Sequence, residues 1–99
     1  VDKQYAIVGS LIVAAGGTAE TVTLGYQPSY VRAINVDNLT SYEHFSGMDA
    51  ATSIDMFNHA DTQVAVNAAG SITLTADGFT LGADICDTTS DVVRYIAIR

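Results

Sequence analysis

The sequence predicts an all-β fold: a single-domain antiparallel β-sandwich of about eight strands, with a jelly roll among the strand orders that would satisfy it. Three observations point there. Apolar and polar residues alternate with a period of two along most of the chain, and no window of about 11 residues holds the i, i+3, i+4, i+7 spacing of an amphipathic helix. Turn-forming clusters such as "AAGG", "YQPS", "SGMDA", "NAAGS" and "ADG" recur about every 8 to 12 residues. No linker, low-complexity tract or charge block divides the 99 residues, so residues 1–99 form one domain.

In chain order, "QYAIVGSLIVA" (4–14) reads as a strand apolar on both faces. "ETVTLG" (20–25) alternates cleanly, with Val22 and Leu24 inward and Thr21 and Thr23 outward. "GYQPS" is a corner: Pro28 fixes φ and has no N–H to give a ladder, and Gly25 ends the preceding strand. "SYVRAINV" (29–36) sets Tyr30, Ile34 and Val36 around Arg32 on one face, with Val31 and Ala33 on the other. "YEHFSG" (42–47) and "SIDMF" (53–57) are shorter strands, and "TQVAVN" (62–67) points Val64 and Val66 inward. "SITLTA" (71–76) places Ile72 and Leu74 opposite Ser71, Thr73 and Thr75. "TADGF" has the composition of a tight hairpin turn in which Gly78 supplies positive φ, leading into "GFTLG" with Phe79 and Leu81 inward. "VVRYIAIR" (92–99) groups Val92, Ile96 and Ile98 with Arg94, leaving Val93, Tyr95 and Ala97 as a face able to meet a neighbouring subunit. Two facing sheets of about four strands each would bury the inward residues.

Composition narrows the function classes. With 11 acidic and 4 basic residues the net charge is −7, which repels phosphate backbones, so nucleic acid is not an expected partner. An apolar share of 48% against 15% charged is high for so small a core and points to an interface. The apolar run "LIVAA" (11–15) is far below the roughly 20 residues of a membrane span, so no membrane association is expected. Cys86 is the sole cysteine, which excludes an internal disulfide and any CxxC zinc pairing.

The residues able to do chemistry are few. His44 and His59 are the ordinary bases; each lies in a polar segment without a surrounding motif, His44 reading as a surface or interface residue and His59 as a turn residue with Asn58 and Asp61. The flanking Asp84 and Asp87 should raise the Cys86 thiol pKa and quench it as a nucleophile. Asp84, Asp87 and Asp91 share a loop that offers hard oxygens to calcium, but their spacing misses the D-x-D-x-D-G pattern and suits solvated turns. Tyr26, Tyr30 and Tyr42 converge into an aromatic sugar platform only if the strand after Pro28 pairs with "YEHF"; packing is the competing role. No catalytic, cofactor or metal site is expected. Arg32 and Arg94, on largely apolar faces, each require a carboxylate partner or a head that reaches water.

"TLGYQPSYVRAINVDNLTSYEHFSGM" (23–48) and "GFTLGADICDTTSDVVRYIAIR" (78–99) resemble small virion structural proteins of tailed bacteriophages, in particular head decoration or cement proteins. The resembling pattern is the glycine-aromatic-x-proline corner, the "VxxIN" strand, the aromatic "YEHFSGM" segment, "GFTLG" and the terminal "YIAIR" strand, and it covers about three quarters of the chain. The resemblance implies a non-enzymatic β module, assembled in the host cytoplasm, that sits on the exterior of the virion head. Its implied partners are the major capsid protein and further copies of itself, a homotrimer being favoured. The net charge agrees with an outer position, away from packaged DNA. Residues 1–16 depart most from the pattern and are a candidate docking arm. Tyr5, Leu11, Val13, Tyr26, Tyr30, Arg32, Arg94 and Tyr95 are the candidate interface residues. The rival readings are a receptor- or glycan-binding module of a tail fibre or spike, and a tail structural protein.

Overall fold

A computed structural model describes residues 6–56 and 64–99. Over the described residues the chain is all-β, with eight strands: β1 (Ala6–Ile12), β2 (Glu20–Thr23), β3 (Tyr30–Asn35), β4 (Thr40–Phe45), β5 (Thr52–Met56), β6 (Val64–Thr75), β7 (Gly78–Leu81) and β8 (Val92–Ile98). They form one antiparallel sheet in the order β1-β8-β3-β4-β5-β6-β7-β2. Strands β3 to β7 are a meander, a different order from the jelly roll considered above; the last strand returns beside β3, and β1 and β2 occupy the two ends.

The continuity of the sheet comes from β6. Its first half pairs with β5, Ile54 opposite Val66, and its second half with β7, Leu74 opposite Phe79. Between the halves the register shifts at Thr52/Ser53, and Gly70 takes a φ of +72°. A bulge with a left-handed glycine bends a strand sharply. One long bent strand therefore replaces the two separate strands, "TQVAVN" and "SITLTA", and the "NAAGS" turn expected between them. The sheet curls until β7 reaches β8, where Phe79 and Tyr95 meet edge to face at 5.2 Å.

The core inside this curl holds Val31 and Ala33 of β3, Tyr42 of β4, Ile72 of β6, Phe79 and Leu81 of β7, Val93 and Ala97 of β8, and Val13, Ile85 and Cys86 from connections. Phe79 and Leu81 are inward as their alternation predicts. Fully burying a side chain of this size is worth about 1.5–3 kcal/mol.

Three inside-outside assignments are corrected by the pairing. Val66 is 73% exposed, because it lies opposite Ile54 and the inward side chains of β5 are Ser53 and Asp55. On β8 it is Val93 and Ala97 that enter the core, so the Arg94 face is the outer one. His44 is inward and only 2% exposed; the alternation that groups it with Tyr42 holds, but that face is the buried one. Gly78 is corrected differently. Its φ is not positive, and its role is close approach: a Cβ there would lie 1.9 Å from the Val22 carbonyl oxygen of β2.

Candidate functional site

The outward side of the sheet is organised as cross-strand rows, fixed by the registers. One row runs Val8, Ile96, Arg32, Glu43, Ile54, Val66 across β1, β8, β3, β4, β5 and β6. A second runs Ser10, Arg94, Ile34, Ser41, Met56, and a third Ala6, Ile98, Tyr30, Phe45. Val8, Ile12, Phe45, Met56, Val66 and Ile98 on this side are all exposed. A depression of about 300 Å³ opens between the first two rows, lined by Val8, Arg32, Ile34, Arg94, Tyr95 and Ile96. The result is a broad apolar surface with two guanidinium groups in it, on a protein of net charge −7.

Arg32 and Arg94 are both exposed residues, so neither is buried within the apolar face. Arg32 Nε donates to Ser41 Oγ at 3.2 Å, which orients its guanidinium. Glu43, directly opposite Arg32, accepts from the Tyr30 hydroxyl at 2.7 Å. Burial, then the bond and charge of Glu43, push the Tyr30 pKa up to about 12 against a counteracting pull from Arg32. Tyr30 also packs against Phe45 at 5.1 Å. Tyr30, Arg32 and Arg94 are thus brought to one surface.

The other described candidates are placed differently. Val13 is 1% exposed and serves the chain's own core; Tyr95 packs on Phe79 and also borders the depression; Leu11 is half-buried on the inward side of β1. Tyr26 lies half-buried under the Arg99 guanidinium, 5.0 Å from its ring centre, with its hydroxyl enclosed and unpartnered among the described residues. Tyr5 and His59 lie outside the described residues. Although β3 does pair with β4, Tyr42 points inward and donates to the Asp84 carbonyl at 3.3 Å, so Tyr26, Tyr30 and Tyr42 form no common platform.

The polar candidates are used separately. Asp91 accepts from Asn35 Nδ2 at 2.9 Å, and Asp84 from Asn67 Nδ2 at 3.0 Å. No set of three His, Cys, Asp or Glu able to hold a metal occurs among the described residues. The His44 ring Nδ1 is engaged with the Thr52 carbonyl at 2.8 Å. Cys86 is buried and its thiol pKa is raised to about 11, by desolvation first and then by Glu20, in place of the flanking aspartates.

Sequence reasoning missed a buried polar chain at the bend of β6: Ser71 Oγ donates to Ser53 Oγ, which donates to Asp55 Oδ1. Burial raises the Asp55 pKa. Ser53 is wholly buried and Asp55 is 4% exposed, so these side chains satisfy one another beside the bulge, away from solvent. Their only sequence signal was that "SIDMF" alternates with its polar residues on the inner face. Sequence reasoning also missed Val8, Ile54, Phe45, Met56 and Val66 as surface residues, because alternation names two faces without saying which is covered.

Among the described residues no helix is long and apolar enough to cross a membrane. Comparison with protein-family models, curated proteins and solved structures found no match to this chain.

Proposed function

We propose that the protein is a head decoration (cement) protein of a tailed bacteriophage, a non-enzymatic module that binds the outer surface of the assembled head and stabilises it. The observation that carries the reading is the outward sheet face, where apolar rows and the Arg32/Arg94 pair lie exposed on an otherwise acidic chain. Such a surface suits stable contact with protein. Exposed apolar patches of this breadth mark interaction sites, and guanidinium groups within an apolar patch favour a partner that presents carboxylates. The partners are the major capsid protein and other copies of this chain. The net charge of −7 favours an exterior position, since an inner one would face packaged phosphates. Binding to the shell would add stability that a 99-residue core supplies only modestly.

Quantitative densitometry of purified virions tests the reading. A decoration protein is present in hundreds of copies per particle. A count of a few to dozens would assign the chain to the tail, as a structural or receptor-binding module, and absence from the particle would end the virion reading altogether.

A further inference from the structure

We propose that β1 is completed by β1 of a second copy, antiparallel about a two-fold axis at Gly9, so that two curled sheets become one. β1 is the end strand of the sheet, and no described segment pairs with its outer edge. Edge strands in soluble proteins are ordinarily blunted by charge, proline, a bulge or shortness. β1 has none of these: "AIVGSLI" is seven residues long, uncharged and free of proline, and its register with β8 is unbroken from Ala6 to Ile12.

The hydrogen-bonding direction along β1 follows from its end. Val13 donates to the Asp91 carbonyl at 2.9 Å and accepts from Ser90 N–H at 2.8 Å, so its backbone groups turn toward the β8 side. Direction alternates along an antiparallel strand, so Leu11, Gly9 and Ile7 do the same, while Ala6, Val8, Ser10 and Ile12 aim outward. Ala14 belongs to the outward set, and its N–H is capped within the chain by Glu20 Oε2 at 2.8 Å. Among the described residues the capping stops there. The residues left with outward backbone groups include Val8 and Ile12, 74% and 67% exposed.

Self-pairing centred on Gly9 sets Val8 beside Ser10 and Ala6 beside Ile12 of the second copy. Every outward group of both edges is then paired, in about eight hydrogen bonds. On the inner side Ile7 meets Leu11, which continues the core. Pairing with β2, the other sheet end, would do less: Leu24 N–H donates to the Asp77 carbonyl, so by the same alternation only Thr21 and Thr23 aim outward from that four-residue strand. A head-to-tail ring would therefore leave half of the β1 edge unsatisfied. Charge favours the same contact. Two chains of net charge −7 repel, and from Ala6 to Ile12 this edge presents no carboxylate, with Arg94 opposite Ser10 on the adjoining strand.

Sedimentation equilibrium of the full chain at micromolar concentration should give twice the mass of one chain. Val8→Lys and Ser10→Pro, the first adding charge and the second removing an outward N–H, should each weaken association at least tenfold with the far-ultraviolet circular dichroism of the sheet retained. Should either variant fail to fold, hydrogen exchange on the unmodified protein gives the answer. The Val8 and Ser10 amides should become protected as concentration rises, whereas in a monomer they face water. A monomer, or a dimer in which those amides stay fast, would overturn the pairing. A trimer would overturn it too and leave the decoration reading intact; conversely, a dimer absent from virions would sink that reading and keep the pairing.

Discussion

Tyr30 and Tyr42 sit on opposite faces of the sheet and yet share one electrostatic property. Burial raises both pKa values to about 12, reinforced at Tyr30 by the bond to Glu43 and at Tyr42 by the charge of Asp55. In the unfolded chain each phenol titrates near its ordinary value of 10.0. The folded state therefore holds these protons more tightly than the unfolded state does. Their contribution to stability is complete below about pH 10 and is lost as pH rises from there toward 12. Alkaline titration followed by phenolate absorbance should show a late transition near pH 12, and Tyr30→Phe and Tyr42→Phe should each remove part of it. Absence of any late transition would contradict the hydrogen-bonded, desolvated environments described here. The same local logic makes Asp55 costly: a carboxylate 4% exposed is tolerated because Ser53 donates to it, and Ser71 in turn donates to Ser53.

Strands β2 and β7 show how an element can depend on one missing atom. Gly78 begins β7 opposite Thr23, and a Cβ at Gly78 would fall 1.9 Å from the Val22 carbonyl oxygen, a backbone atom that cannot rotate away. Gly78→Ala should therefore force β2 off β7 and cost about 3 kcal/mol or more, measured by urea unfolding. Gly47→Ala is the control: a Cβ there meets nothing within 4 Å, so only its φ of +97° is strained, at about 1–2 kcal/mol. Equal losses for the two would mean that β2 shifts freely. The hairpin itself was legible in "TADGF", but the reason for its glycine was not, because the atom that excludes a side chain belongs to a strand more than fifty residues away in sequence. The same limit explains the outward face. Alternation in "VVRYIAIR" separates Val93 and Ala97 from Arg94 and Ile96, yet which set is buried depends on β7 curling over β8 through the bend at Gly70. Existence of strands, their all-β class and the inward Phe79 and Leu81 were readable from local pattern. Val66, His44 and Val13 changed sides or roles because pairing partners decided them.

The whole molecule combines an acidic net charge of −7 with a broad apolar face and an uncharged β1 edge, and these act on association in opposite directions. Like-charged copies repel at long range, while strand pairing and apolar contact act only at touching distance. Salt separates the two, since the Debye length falls from about 30 Å at 10 mM to about 8 Å at 0.15 M. Burial and backbone hydrogen bonds are little affected over that range. If copies join through β1, raising ionic strength should tighten association several-fold. Lowering pH toward the isoelectric point near 4.2 should act in the same direction, because it removes the net repulsion. An oligomer held by Arg32 or Arg94 against carboxylates of a neighbouring copy would behave oppositely and loosen with salt. Sedimentation equilibrium across that salt range distinguishes these mechanisms without any mutation. Weakening with salt would move the contact between copies from the β1 edge to the arginine-bearing face.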